Sequence, residues 1–534
     1  MVSGKTMDLQ FFNTLSHRIE TFRTSDPLGK KVGLYCCGPT VYDFAHIGNF
    51  RTFIFADMVR RFLEFKGFQV NHVMNITDVD DKIIQRLNAS PEKITLRDYT
   101  AIYEKAFFED FDRLNCLRPS VIPRATDYIP QMIKLIGKLM ENGIAYQTPD
   151  GSIFFSIQRY MALGGKYGQL VKINFDEVRV GERIKNDEYE KENAADFALW
   201  KARVPSDGEV FWPSPWGEGR PGWHIECSAM SRELLGETFD IHLGGEDLAF
   251  PHHEDEIAQS EGATLCKEGG CKPIPFVRYW LHFSHLLVEG KKMSKSLGNF
   301  YTLRDLFAKG YTGREIRYLL LSAHYRESLN FTLEGLNGAR AALSRLDSTL
   351  LPLLSTSCLE GVIKEFSEGI SEPLHFDVGL KNLFQRKDTS ITSSIDSALD
   401  RIESKDLPSE YKLVERFDNA LSDNFNLSAG WATVFECVRE VRKRLAEGKV
   451  SSEEAIYLLY QWHKVDTVLG VSNFKIWKEA VEEEIPAEIL ALLEERQAAR
   501  KAKDFARSDT IRDELKSRGW VIEDTPKGPR LKQI

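Results

Sequence analysis

Four side chains scattered along the chain, Cys37, Cys227, His252 and Glu256, are of the types that together hold a soft metal ion. Two thiolates, an imidazole and a carboxylate suit zinc, which favours sulfur and carries no geometric preference from its d-electrons. His252 and Glu256 stand four residues apart behind Pro251. A helix beginning at that proline would turn both to one face, one turn apart. His242 and His253 read as supporting or core histidines. Cys266 and Cys271 flank Gly269-Gly270 and lack a second pair at finger spacing, so they read as a loop with spare thiols.

A second chemistry surrounds the first. His46-Ile47-Gly48-Asn49 places a donor and a small residue at the start of a predicted helix, where backbone N–H groups and the helix dipole attract phosphate. Lys292-Met293-Ser294-Lys295-Ser296, between Gly290 and Gly298, reads as a mobile loop able to bring two cations over a triphosphate. Each motif alone reads as readily as a turn histidine or a solvated charge run. Their order and their separation by a long insertion favour the phosphate reading.

The elements that must position these residues follow from patterning. Val32–Cys36 reads as a buried strand and Gly38-Pro39-Thr40 as a turn. Phe50, Phe53, Ile54, Val59, Phe62 and Leu63 recur at near-helical spacing before Gly67, and Gln69–Ile76 reads as the next strand. That βαβ order predicts an α/β fold with a doubly wound parallel sheet, whose ligands sit beyond the carboxyl ends of the strands. From Leu117 to Pro221 the text turns to proline, glycine and charge with short helical pieces, which reads as an insertion. The sheet resumes near Trp223, with Phe239–Leu243 as a strand running into Gly244-Gly245. Beyond Leu321 the chain becomes helical and charged, interrupted by a polar, aperiodic stretch from Ser355 to Asp406 that reads as a partly mobile insert. The last segment carries Arg496, Arg500, Lys501, Lys503, Arg507, Arg512, Lys516 and Arg518, a composition that suits an RNA partner.

Bulk properties agree. The chain has 534 residues, 42% hydrophobic and 28% charged, which is the composition of a globular protein of several domains. A net charge of −9 means that nucleic acid would have to meet a local basic surface. No basic segment with an apolar h-region opens the sequence, and no apolar run is long enough to cross a bilayer. The expected location is the cytoplasm, with Met7 a candidate start and the eight cysteines mostly reduced.

The sequence resembles the cysteinyl-tRNA synthetases, a family of class I aminoacyl-tRNA synthetases. The likeness is carried by Tyr35–Asp43, His46–Asn49, Asn75–Lys82, Gly219–Ser228, Phe250–Glu256, Lys292–Asn299 and the terminal Arg500–Phe505 with Asp509 and Arg512. It implies a split Rossmann-like catalytic domain with a connective insertion, a helical-bundle anticodon-binding region and a small C-terminal domain. The corresponding boundaries are 1–116 and 222–321 for the two catalytic halves and 117–221 for the insertion. Residues 322–475, with the insert 355–406, make the helical region, and 476–534 the small basic domain. The resemblance places one zinc per chain on Cys37, Cys227, His252 and Glu256, and ATP on His46, Asn49, Gly245, Asp247 and Lys295. Thr77 and Trp223 match positions lining the cysteine pocket, and His46, Asn49, Lys292 and Lys295 match the catalytic signatures. Asn49 replaces the histidine of many relatives, with an amide that still donates to phosphate.

The implied reaction has two steps: L-cysteine attacks the α-phosphate of Mg-ATP, and the cysteinyl group then passes to the terminal adenosine of tRNA-Cys. Zinc explains the selectivity, because serine differs by one atom and an apolar pocket separates near-isosteres by only a few kcal/mol. A hard hydroxyl does not compete with a thiolate at sulfur-rich zinc. Four protein ligands normally close a site, so the resemblance requires weak binding by Glu256 or expansion to five ligands. The expected protein is a monomer with tRNA-Cys, L-cysteine and ATP as partners and no membrane. Two other readings are a cysteine ligase of the mycothiol-synthesis type and a non-catalytic tRNA-binding paralogue.

Overall fold

The computed structural model describes residues 7–91, 93–172, 196–293, 298–357, 402, 407–472, 487–502, 504–525 and 528–533. After a hairpin of β1 (Gln10–Asn13) and β2 (Arg18–Thr21), the apolar run becomes β3 (Lys31–Cys36), with Val32, Leu34, Tyr35 and Cys36 buried. Helix α1 (Ile47–Phe65) follows and returns the chain to β4 (Gln69–Met74), giving the expected βαβ unit. β9 (Phe239–Gly245) and β10 (Val277–Phe283) complete a parallel sheet in the order β10-β9-β3-β4. Cys36 lies opposite Met74 on one side and Leu243 on the other, and Phe283 lies opposite Gly245. The chain therefore changes direction between β3 and β9, and the crevice beyond the carboxyl ends at that switch point is where such sheets bind ligands.

Between β4 and β9 run α2 (Asp81–Ala89), α3 (Leu96–Arg113) and α4 (Ile129–Glu141), then β5 (Ala145–Gln147), β6 (Ile153–Phe155), α5 (Ile157–Ala162), β7 (Phe197–Ala202) and β8 (Gly219–Pro221). The insertion contains an antiparallel sheet, β5-β6-β7-β8, where the sequence suggested only short helical pieces. Three of its strands are three residues long. A segment that short cannot display a period of two. Residues 173–195 of the expected insertion lie outside the described residues.

α6 (Trp223–Leu235) leads into β9, and α7 (Glu254–Gly262) into β10. A small sheet of β11 (Leu286–Val288), β12 (Lys291–Lys292) and β13 (Leu329–Phe331) encloses α8 (Leu303–Ala308) and α9 (Gly313–Leu320) along the chain. Helices α10 (Leu333–Ser357), α11 (Leu413–Ser422), α12 (Leu427–Ala446) and α13 (Ser452–Leu469) pack on one another as the predicted helical region. α10 runs on to Ser357, past the expected start of the polar insert; of the rest of that insert only residue 402 is described. α13 starts in a capping box of Ser451 and Glu454 and stops at Gly470, whose φ of 63° is left-handed and suits glycine.

One buried ion cluster joins these parts. Asp57 of α1 accepts from Arg61 at 2.8 Å and from Arg317 of α9 at 2.6 Å. Arg61 reaches the Thr467 carbonyl at 3.0 Å, and Arg317 reaches that of Leu469 at 2.6 Å. The first catalytic helix is thereby tied to the end of α13.

A second unit, described by itself, comprises α14 (Ala487–Lys501), α15 (Phe505–Ser517) and the hairpin β14 (Trp520–Thr525)–β15 (Gly528–Gln533) around Ile489, Ile511, Leu515 and Trp520. Its arginines are more neutralised than their number suggests. Arg507 pairs with Glu495 at 2.7 Å, and Arg518 pairs with Glu488 and Glu514 at 3.0 and 2.7 Å.

Candidate active site

Cys37 leaves the end of β3, Cys227 lies on α6, and His252 and Glu256 come from the start of α7. The four donor atoms all lie within 4.8 Å of one another, and all four residues are buried. Cys37 Sγ is 3.8 Å from Cys227 Sγ and 3.7 Å from Glu256 Oε1, and His252 Nε2 is 3.1 Å from Glu256 Oε1. The helix does not begin at Pro251 as its spacing suggested. Ala249–His253 form a wider π-type turn with Phe250 in an extended conformation, and regular α-helix starts at Glu254. His252 and Glu256 still meet, because the turn runs directly into the helix.

This donor set fits a cation. Burial pushes the Glu256 carboxyl well above its ordinary range, and the charge of Cys227 adds to the shift. Burial likewise raises the Cys37 thiol, whereas the hydrogen bond from Cys37 lowers that of Cys227. Buried acceptors that oppose one another's ionisation are relieved by a metal, which reverses the local pKa logic. Two thiolates, an imidazole and a carboxylate are donors that zinc accepts.

Histidines surround this cluster more densely than the sequence suggested. His242 Nε2 sits 3.0 Å from Glu256 Oε2, and His253 Nε2 sits 3.4 Å from Cys37 Sγ. Cys37, His242, His253 and Glu256 thus form a second compatible donor set, which shares Cys37 and Glu256 with the first and so describes the same centre. His253 Nδ1 continues to His282 Nε2 at 2.8 Å, and His224 Nδ1 meets His252 Nδ1 at 3.0 Å. Burial depresses His242 and His282 to about 3. A Cβ at Gly244 would lie 2.4 Å from His253 Cε1, so glycine is needed for that ring to approach. His242 faces Trp280, and His282 faces Gly244, through a β9–β10 register that one sequence does not reveal.

Beside the sulfur donors lies a polar floor. Gly38 N–H donates to Asn75 Oδ1 at 2.9 Å, and Asn75 Nδ2 donates to Thr77 Oγ1 at 3.1 Å. Glu226, between the expected pocket residue Trp223 and the expected ligand Cys227, is 1% exposed, and burial pushes its carboxyl well above the ordinary range. Trp223 stacks on His252 with ring centroids 4.5 Å apart and stays 41% exposed, so it stands at the rim. Asp81, from the same signature as Thr77, clamps Lys201 at 2.9 Å and Arg220 at 2.6 Å and so holds β7 and β8. The bridging role of Asn75 is not visible in the sequence pattern, although Asn75 lies within a signature quoted.

The expected phosphate side lies at the start of α1. His46 is its N-cap: Nδ1 accepts from Asn49 N–H at 3.2 Å, and the Asn49 side chain accepts from His46 N–H at 3.1 Å. The next segment docks on this start. Ile47 N–H donates to Tyr301 O at 3.0 Å, His46 packs edge-on to Phe300, and a Cβ at Gly48 would lie 3.0 Å from the Met293 methyl. Lys292 is exposed beside Met293; Ser294–Leu297, including Lys295, lie outside the described residues. Gly245 ends β9 against Asp247, whose Oδ1 a Cβ would meet at 2.4 Å. The spare thiols of the sequence reading are instead paired: Cys266 and Cys271 form a disulfide across Gly269 and Gly270, both with positive φ, their Cα atoms 5.5 Å apart.

A parallel sheet interrupted by an insertion, with a buried donor cluster beyond its strand ends, is the architecture of a class I aminoacyl-tRNA synthetase catalytic domain. The family model for the class I (C) tRNA synthetase catalytic domain matches residues 24–341, and that for the cysteinyl-tRNA ligase anticodon binding domain matches 482–529. The cysteine–tRNA ligase of Chlamydia pneumoniae is 45% identical over 98% of this chain and 98% of its own. That of Protochlamydia amoebophila is 42% identical over 99% and 98%. The chain belongs to the cysteine–tRNA ligase family. The Mycobacterium tuberculosis methionyl-tRNA synthetase in complex with methionyl-adenylate shares the fold, with a TM-score of 0.51 at 14% identity over 87% of this chain and 94% of that one. Among the described residues no helix is long and apolar enough to cross a membrane.

Proposed function

We propose that this protein activates L-cysteine with Mg-ATP and transfers it to tRNA-Cys. The observation that carries this reading is the convergence of Cys37, Cys227, His252 and Glu256 within 4.8 Å, beyond the same strand ends from which the phosphate-binding helix starts. Zinc held by these residues would supply a soft Lewis acid for the substrate thiolate, a ligand that serine's hydroxyl cannot match. Trp223 and Thr77 line the cysteine pocket. The start of α1, with His46 and Asn49, together with Lys292 and Lys295, holds the triphosphate and opposes the charge that moves onto pyrophosphate during in-line attack. Gly245 leaves room for the nucleotide, and Asp247 is placed for its ribose. Neither step needs a protein nucleophile, so positioning and electrostatics account for the chemistry.

The match of residues 482–529 to an anticodon-binding domain favours tRNA over an amino sugar as acceptor. The retained His46 and Lys292 favour an active enzyme over a binding paralogue. In ATP–pyrophosphate exchange, cysteine should exceed serine by roughly ten-thousandfold, and the activated cysteine should be recovered on tRNA-Cys and not on an amino-sugar acceptor. Comparable exchange with serine, or cysteine transfer to the sugar alone, overturns the reading.

A further inference from the structure

The loop from α7 to β10 is closed by three rungs, one inside the next. Nearest α7, Glu261 Oε1 accepts from Phe276 N–H at 3.3 Å, and further out Thr264 Oγ1 accepts from Ile274 N–H at 2.9 Å. The disulfide of Cys266 and Cys271 is the outermost rung, closed around the left-handed Gly269 and Gly270. Both cysteines are half-buried, and each is followed by an exposed lysine, Lys267 or Lys272. Reactive cysteines occupy such partly exposed, electropositive surroundings, whereas buried structural ones are inert. Cys36, Cys37, Cys116, Cys227 and Cys437, the free cysteines among the described residues, are all buried. The disulfide also constrains little chain. Its cysteines are separated by 5 positions, so the ring is short, and closing it removes little entropy from the open form. A Cβ at Gly269 or Gly270 would meet nothing within 4 Å, so the tip stands clear of its neighbours. Opening the outer rung leaves the two inner ones in place, and α7, which carries Glu256, stays anchored.

We propose that Cys266 and Cys271 are a reversible thiol–disulfide site that exchanges with low-molecular-weight thiols and turns over without disturbing the metal centre. In the reducing direction a small thiolate attacks one sulfur of the pair. The Cys266–Cys271 bond breaks, a mixed disulfide forms on the attacked cysteine, and the other cysteine leaves as a thiolate that takes a proton from solvent. A second small thiolate then attacks the small-molecule sulfur of the mixed disulfide and releases the remaining cysteine, which is protonated in turn. The balance is one protein disulfide and two small thiols giving two protein thiols and one small disulfide, with two electrons passing to the protein. Oxidation runs the same steps backwards. Free L-cysteine takes part here as a thiol only, so the inference does not depend on the reading above.

The test equilibrates the full-length, zinc-loaded protein, without oxygen, in mixtures of L-cysteine with L-cystine and separately of glutathione with glutathione disulfide. Free thiols are then alkylated, and each cysteine is read by peptide mass spectrometry. As the thiol fraction rises, Cys266 and Cys271 should pass together from disulfide to doubly alkylated, and they should return when the disulfide fraction is restored. Zinc content should hold throughout, and cysteine-dependent pyrophosphate exchange should differ between the two forms by less than about twofold. Cys271→Ser should trap Cys266 as a mixed disulfide with the small thiol, the intermediate of the reaction. A reversible transition in either mixture supports the proposal. A pair that stays oxidised at the highest thiol fraction, or reduced at the highest disulfide fraction, overturns it. Zinc loss accompanying the transition, or Cys266 left unmodified in Cys271→Ser, overturns it as well. A protein whose pair titrates in this way but which does not activate cysteine would instead refute the proposed function and leave this site standing.

Discussion

Two polar clusters lie buried in the same unit, and exposure alone does not distinguish them. Asp57, Arg61 and Arg317 are at most 3% exposed; Cys37, Cys227, His252 and Glu256 are at most 7%. In the first, opposite charges meet. Burial acts to raise the Asp57 carboxyl, but Arg61, Arg317 and the Leu117 N–H outweigh it and hold it below its ordinary value. In the second, burial together with the charge of Cys227 outweighs the opposing effects of His252 and Cys37 and drives Glu256 well above its ordinary value. Burying charge is costly unless it is paired or bound to metal, so the closed cluster reads as architecture and the open one as a site for a cation.

The strongest way to break this contrast is to remove a donor from the open cluster. Binding free energies of sulfur-rich zinc sites are about 10–16 kcal/mol, so losing one of four ligands should be severe. Cys227→Ala is expected to lower zinc from about one per chain to a small fraction, measured by elemental analysis, and cysteine-dependent exchange by roughly a thousandfold. Full zinc and full exchange in that variant would remove the basis for the contrast.

Breaking the closed cluster should have a different signature. Asp57→Asn leaves Arg317 buried without its counter-charge, which costs about 3–5 kcal/mol. Because the folded pKa of Asp57 lies below its unfolded value, its stabilisation is present above about pH 4 and is lost as pH falls through the folded value. Urea unfolding should therefore show a large gap from wild type at pH 7 that narrows below about pH 4. Zinc content should not change. Zinc loss in Asp57→Asn would mean that the two clusters are not separable.

The same contrast explains what a reader of the sequence can and cannot see. Cys37, Cys227, His252 and Glu256 were legible because their side-chain types announce metal chemistry before any fold is known. β3, α1 and β4 were legible because each is long enough to show its hydrophobic pattern. The Asp57–Arg317 pair was not, since its partners are 260 positions apart and either reads as surface charge. The antiparallel sheet of the insertion was hidden by strands too short for periodicity, and the histidine layer by a strand register that no local pattern encodes. The disulfide of Cys266 and Cys271 was not legible, because two cysteines around a double glycine with no second pair at finger spacing read equally well as spare thiols on a loop.

The smallest effect expected probes the seam between the exposed phosphate side and the segment docked on it. A methyl at Gly48 would meet His46 Nδ1 and the Met293 methyl at 3.0 Å each, close enough that one must yield. The His46 ring is held by the Asn49 N–H, so Met293, at the end of a flexible side chain, is the one to move. Alanine is also the better helix former by about 1 kcal/mol, which offsets the crowding and leaves thermal stability nearly unchanged. Displacing Met293 should carry Lys292 with it. Gly48→Ala is therefore expected to raise KM for ATP about fivefold, equivalent to roughly 1 kcal/mol, while KM for cysteine and zinc content stay constant. Adding Met293→Ala should relieve the contact and return KM for ATP toward that of Met293→Ala alone. If the double variant remains as impaired as Gly48→Ala, the crowding falls on His46 and the N-cap, and the seam with the lysine segment is not what Gly48 protects.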